Sequence, residues 1–119
     1  MGLSCLIVDD SAEFLASAAG LFSSQQGLDV VGMASTGNDA LRLMAALGPD
    51  VVLVDVELGD EDGIDLARRM TKMAGPATRV ILISLRDRSE LTELIGGCGA
   101  AGFVRKDAID AQTIADLVR

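Results

Sequence analysis

The chain is expected to fold as an α/β domain, a doubly wound parallel sheet built from five βα units, and three observations point there. Short apolar runs alternate with amphipathic stretches from one end to the other, with no low-complexity tract and no internal repeat. Two of the runs, Val51 to Val54 and Val80 to Ile83, are continuously apolar, as central strands covered on both faces must be. The core must also be aliphatic, because half of the chain is hydrophobic but its only aromatic residues are Phe14, Phe22 and Phe103. Such a core suits helices packed on a sheet, and 119 residues are enough for one domain and too few for two ordinary ones.

Leu3 to Val8 reads as the first strand. Asp10 or Ser11 then caps a helix from Ala12 to Gln25, whose apolar positions are Phe14, Leu15, Ala18, Ala19, Leu21 and Phe22. Leu28 to Ala34 is the second strand, and after Thr36 a helix runs from Asn38 to Leu47, where Gly48-Pro49 stops it. The third strand, Val51 to Val54, is followed by a helix from Gly63 to Met73 that ends before Gly75-Pro76. Arg79 to Ser84 is the fourth strand, with a helix from Ser89 to Gly97 that runs into the glycine-rich GGCGAAG. Ala101 to Arg105 is the fifth, and the last helix starts near Asp110 and is still helical in pattern at Arg119, with no capping signal there. Right-handed crossovers between parallel strands give the order 2-1-3-4-5 of flavodoxin-like domains. In such sheets the ligand site lies beyond the carboxyl ends of the strands, and Asp9, Asp10, Asp55, Ser84 and Lys106 fall there, on four different strands.

Composition removes several classes of function. With 18 acidic against 10 basic residues the net charge is −8, which repels a nucleic-acid backbone, so any DNA contact must be made elsewhere. Histidine is absent, which excludes imidazole bases and His-ligated zinc. Cys5 and Cys98 have neither a paired spacing nor a histidine partner and read as buried free thiols in a cytoplasmic protein. No stretch is long and apolar enough to span a bilayer, and Asp9-Asp10 interrupts any signal-peptide core.

Taken singly, these residues have plainer roles: Asp9-Asp10 as a helix cap, the run from Asp55 through Glu57, Asp60, Glu61 and Asp62 as a solvated acidic loop, Ser84 and Lys106 as strand-end polar groups, and Phe103 as core. Their joint order is specific. An acidic pair after strand 1, an aspartate after strand 3 with Gly63 eight residues on, a hydroxyl after strand 4, then an aromatic and a lysine at strand 5, resemble the response-regulator receiver (CheY-like) domain over essentially the whole chain. The segment GAAGFVRKDA is similar to receivers of LuxR-type (NarL/FixJ) transcription regulators, in which a Lys-Asp junction is common. The resemblance implies a phosphorylation-dependent switch of a two-component phosphorelay, a phosphoacceptor domain rather than an enzyme. Asp55 would accept a phosphoryl group from a sensor histidine kinase or a small acyl phosphate. Mg²⁺ would be held by Asp10, Asp55 and the backbone carbonyl of Glu57, with Asp9 acting through a water. Lys106 and Ser84 would bind phosphoryl oxygens, and Phe103 would move inward as Ser84 shifts, altering the surface around helix 4, strand 5 and helix 5. Residues 1–119 would then be the receiver of a longer regulator, homodimerising on phosphorylation and reaching DNA only through an output domain not present here.

The chain departs from the commonest family pattern in places. Gly59 stands where a Pro usually follows the phosphoacceptor by four, which predicts a more mobile loop. Asp107 follows Lys106 where many members have Pro. Leu85 replaces a small residue at the mouth of the site and narrows access, and Glu57 and Arg86, each two residues past a site residue, are placed to pair across the opening as a gate. Two other readings stay open. One is a receiver-like interaction module that is never phosphorylated. The other is a haloacid-dehalogenase-like phosphatase, whose strand-end motif VVLVDVELGD resembles, with Glu57 as second acid; that scheme gives Asp9 and Asp10 no role.

Overall fold

The computed structural model describes residues 2–25 and 27–118. Five parallel strands, β1 (Leu3–Val8), β2 (Leu28–Ala34), β3 (Val51–Asp55), β4 (Arg79–Ser84) and β5 (Gly102–Arg105), form one sheet in the order β2-β1-β3-β4-β5, the expected 2-1-3-4-5. Alternation along each strand sends side chains to opposite faces. Leu6, Val8, Val52, Val54, Val80 and Leu82 form one core with Ala40 and Met44 of α2 (Gly37–Leu47) and Leu66, Ala67 and Met70 of α3 (Gly63–Ala74). Cys5, Ile7, Val51, Leu53, Ile81 and Ile83 form the other, with Ala18 and Phe22 of α1 (Ala12–Ser23) and Ala111 and Ile114 of α5 (Ala111–Val118). Cys5 and Cys98 are free and buried, as expected, and burial pushes the Cys5 thiol up to about 12, which keeps it protonated and unreactive. No helix among the described residues is long and apolar enough to cross a membrane.

Local chemistry sets the helix ends. Ser11 caps α1 by accepting from the Phe14 amide at 3.2 Å, and Thr36 caps α2 by accepting from Asp39. Helix α1 stops at Ser23 rather than Gln25, because the Ser23 and Ser24 hydroxyls donate back to the carbonyls of Gly20 and Leu21 where the next turn would form. Asp62 caps α3 through the amides of Ile64 and Asp65. The fourth helix differs most from expectation. In place of a helix over Ser89 to Gly97 there is a 3₁₀ turn at Arg88–Glu90 and a single turn, α4, at Thr92–Ile95. Asp87 and Glu90 close the first turn on themselves, the Glu90 amide donating to the Asp87 carbonyl and the Asp87 amide to the Glu90 carboxylate, while Gly96-Gly97 ends the second. Strand β5 begins one residue later than expected, at Gly102. The expectation that the last helix is still running at Arg119 falls on a residue outside the described ones.

Between β3 and α3, where the sequence pattern shows only an acidic loop, lies a short hairpin. Glu57–Leu58 pairs antiparallel with Glu61–Asp62 around Gly59 and Asp60. Gly59 sits at φ 59°, a conformation required of the first residue in a type II′ turn and closed to proline, so the departure at this position follows from the hairpin. The loop is also less free than the glycine suggests. Leu58 is buried, and both Glu61 carboxylate oxygens accept from the Gly37 amide, at 3.0 and 3.1 Å, pinning the hairpin to the start of α2.

The glycine eight residues after Asp55 has a steric cause. A Cβ at Gly63 would lie 1.8 Å from the Asp55 carbonyl oxygen, because the chain folds back so tightly that the Gly63 amide bonds the Val56 carbonyl at 3.0 Å. Gly63→Ala should therefore lower the free energy of unfolding by about 3 kcal/mol or more in urea denaturation. A loss below about 0.5 kcal/mol would show that the turn relaxes freely, contrary to this packing.

Candidate functional site

The sheet delivers the expected residues to one end. Asp9 follows β1, Asp55 ends β3, Ser84 ends β4 and Lys106 follows β5. Asp9 is fully buried, Asp55 nearly so, and Asp10 exposed. One carboxylate oxygen from each of the three lies within 4.8 Å of the others. Two amides hold the buried pair in place: Ser11 donates to Asp9 Oδ1 at 2.9 Å, and Glu57 donates to Asp55 Oδ1 at 3.1 Å. Their outer oxygens face a single ammonium. Lys106 Nζ is 2.5 Å from Asp9 Oδ2 and 3.2 Å from Asp55 Oδ2.

Lys106 is itself largely buried, and its ammonium rests over the ring of Phe14 on α1, 4.8 Å from the centroid. Burial acts to lower its pKa, but Asp9 and Asp55 outweigh that and the net direction is upward, so it stays charged. Asp55 also shifts upward, which for an acid favours the neutral form. Its carboxyl is raised from 3.8 to about 6, first by burial and then by repulsion from Asp9, against the opposing pull of Lys106 and the Glu57 amide. Three carboxylates against one ammonium leave a deficit of positive charge. Asp9 Oδ2, although close to Lys106, is buried with no donor in hydrogen-bonding alignment among the described residues. Clustered hard oxygen donors with unmet charge fit a divalent cation such as Mg²⁺.

Ser84 is buried, and its Oγ accepts from the Arg86 amide at 3.0 Å, which leaves the hydroxyl proton free to donate. Phe103, two residues into β5, is half-buried and packs against the core cluster that includes Leu82 and Leu91. The opening is a cavity of about 230 Å³ lined by Asp10, Asp55, Glu57, Ser84, Leu85, Arg86 and Lys106. Across it Arg86 Nη1 meets Glu57 Oε1 at 3.2 Å, the pair anticipated from their matching offsets. Leu85 is 65% exposed. It also lines a second depression, of about 370 Å³, with Ser11, Glu13, Phe14, Ser17, Lys106 and Asp107, so its side chain stands between the two. Phe14 is the residue that sequence reasoning passed over: an apolar position at helical spacing reads as core, and only the fold shows that its ring face meets Lys106. The arrangement gives Asp9 and Asp10 places beside Asp55, which the phosphatase scheme does not.

Residues 5–119 match the family described as the response regulator receiver domain. The solved signal receiver domain of NarL from Mycobacterium tuberculosis superposes with a TM-score of 0.86 at 30% identity, covering 98% of this chain and 96% of that one. Among curated proteins, the response regulator GacA of Pseudomonas aeruginosa is 31% identical over 87% of this chain and 48% of its own length. A protein-glutamate methylesterase/protein-glutamine glutaminase of Myxococcus xanthus is 37% identical over 85% of this chain and 29% of its own length. The chain thus spans about half or less of these curated relatives.

The raised Asp55 pKa has a signed consequence for stability. Between roughly pH 4 and pH 6 the native protein holds a proton that the unfolded chain has released, so this contribution is fully present below the window and is lost as pH rises through it. Asp55→Asn removes the effect. In urea denaturation with a chelator, the variant should gain on the wild type, on the order of 2 kcal/mol between about pH 4 and pH 8. Parallel stability profiles for the two proteins would contradict the shift.

Proposed function

The chain belongs to the response-regulator receiver family of two-component systems, and from that premise we propose that Asp55 is the phosphoacceptor of a switch charged by a sensor histidine kinase. The observation that carries the reading is the buried Asp9–Lys106–Asp55 arrangement at the end of β3, in which the candidate nucleophile is held by one amide and one ammonium beside an open cavity.

A lone pair on the Asp55 carboxylate forms the new O–P bond as the P–N bond of a phosphohistidine, or the P–O bond of a small acyl phosphate, breaks. The leaving group keeps that electron pair, and an imidazole leaving group takes its proton from solvent. Lys106, already within 3.2 Å of Asp55, meets one phosphoryl oxygen, and the Ser84 hydroxyl donates to another. Asp10, Asp55 and the Glu57 carbonyl, with Asp9 through a water, would hold Mg²⁺, which supplies positive charge to offset the carboxylates and the incoming phosphoryl oxygens. Positioning and charge neutralisation do the work, as in other phosphoryl transfers.

Signalling follows from Ser84. Its shift toward the phosphoryl group leaves space that the half-buried Phe103 ring fills, and the surface of α4, β5 and α5 changes with it, a population shift biased by a covalent ligand. Residues 1–119 act as the receiver of a longer cytoplasmic regulator, and the switched surface controls dimerisation or a DNA-binding output. This domain is a phosphoacceptor whose only chemistry is on itself.

Incubation with a small acyl phosphate and Mg²⁺ should add one phosphoryl group to the wild type by intact mass and none to Asp55→Asn. No gain, joined to no thermal shift with Mg²⁺ and beryllofluoride, would make the chain a receiver-like interaction module. Leu85→Ala, which opens the wall between the two depressions, should speed both phosphoryl entry from bulky donors and hydrolysis of the phosphorylated form, by roughly threefold or more, a barrier change of order 0.6 kcal/mol. Unchanged rates would remove Leu85 from the account of access.

A further inference from the structure

The residue before Lys106 forms a set of contacts that the phosphoacceptor scheme does not use. Arg105 ends β5, and its Cα is the register partner of Ser84 at the end of β4. Its guanidinium reaches in two directions. Nε and Nη2 grip both carboxylate oxygens of Asp107, at 3.0 and 2.8 Å, while Nη1 pairs with Asp87. Asp87 lies three residues beyond Ser84 and anchors the 3₁₀ turn through its two bonds with Glu90. One planar fork thus fastens the loop leaving Ser84 to the loop carrying Lys106, a job that needs the bidentate geometry of arginine.

The Ser84 loop is therefore held from both sides. Arg86 ties it to Glu57 across the cavity, and Asp87 ties it to Arg105. Between those ties the Ser84 hydroxyl accepts from the Arg86 amide. We infer that Arg105 is a positioning residue that favours this arrangement of the Ser84 loop and so sets how readily the Ser84 hydroxyl turns to a phosphoryl group on Asp55. The inference rests on the phosphoacceptor reading of Asp55. A contact made in one of two loop arrangements biases the equilibrium by its differential free energy, and a ligand that prefers the other arrangement must overcome it.

Electrostatics makes the test decisive. Removing a cation beside an anion site weakens anion binding by itself, whereas releasing the loop strengthens binding of a phosphoryl mimic. Arg105→Gln should bind beryllofluoride about threefold more tightly than the wild type in the presence of Mg²⁺, the scale expected of an exposed ion-pair network, with Mg²⁺ affinity alone unchanged. Arg105→Lys, which keeps the charge but cannot fork, should fall between the two, and Asp87→Asn should move in the same direction as Arg105→Gln. Equal or weaker beryllofluoride binding by Arg105→Gln overturns the inference, as does a parallel change in Mg²⁺ affinity, which would mark a distorted site. These results leave Asp55 as phosphoacceptor untouched, since the wild type still binds the mimic. Failure of the wild type to bind beryllofluoride would sink the phosphoacceptor reading, and this inference with it.

Discussion

Everything at the active end of this molecule answers to one electrostatic problem: two buried carboxylates, Asp9 and Asp55, converge on a single ammonium, with a third carboxylate, Asp10, at the rim. Like charges 4 Å apart repel by about 4 kcal/mol at an effective dielectric of 20, and one lysine cannot neutralise three acids. The fold compensates with fixed dipoles and packing. The Ser11 and Glu57 amides point at the two buried carboxylates, and the Phe14 ring supports the ammonium from below. What remains uncompensated is the charge that the proposed Mg²⁺ and phosphoryl group would meet.

The sheet is what makes such a cluster affordable in structural terms, because parallel strands packed on both faces cannot slide without exposing their apolar runs. Asp55 is fixed by β3, the strand buried along its whole length, and by the turn at Gly63 that leaves no room for a side chain. The loops beyond the strand ends are under no such constraint. The hairpin after Asp55 is pinned by Glu61 to α2, whereas the loop after Ser84 is tied to its neighbours across the site by the exposed ion pairs Arg86–Glu57 and Arg105–Asp87. In the proposed switch, that contrast assigns the moving part to the β4 and β5 side, next to a helix reduced to a single turn.

Much of this was legible in the residues. Of the four strands longer than four residues, three begin and end where the sequence pattern puts them, and the fourth, β3, runs one residue further, to Asp55. Asp9, Asp10, Asp55, Ser84 and Lys106 could be grouped because strand ends meet in a doubly wound sheet, and Glu57 with Arg86 because equal offsets from neighbouring strands face one another. Other features left no such trace. Two-residue strands have no periodicity, so the hairpin and its II′ turn at Gly59 were invisible, and the loop was expected to be loose. The fourth helix failed because its apolar pattern continues while its backbone is claimed by the Asp87–Glu90 turn on one side and by glycines on the other. Phe14 and Arg105 were missed for a shared reason: each looks ordinary in its own element, and its role depends on a group brought by another.

A carboxylate cluster short of positive charge should reveal itself in calorimetry of Mg²⁺ binding near pH 6 in two buffers of different ionisation enthalpy. With the Asp55 carboxyl raised to about 6, close to half of the molecules hold its proton there, and a cation entering the cluster must expel it. Release of about half a proton per bound Mg²⁺, disappearing by about pH 8 and absent in Asp55→Asn, is the expected result. No binding at all would mean that the cluster is already neutralised within the fold and that the charge deficit does not organise this site, whereas binding with no proton release at pH 6 would contradict the raised Asp55 pKa.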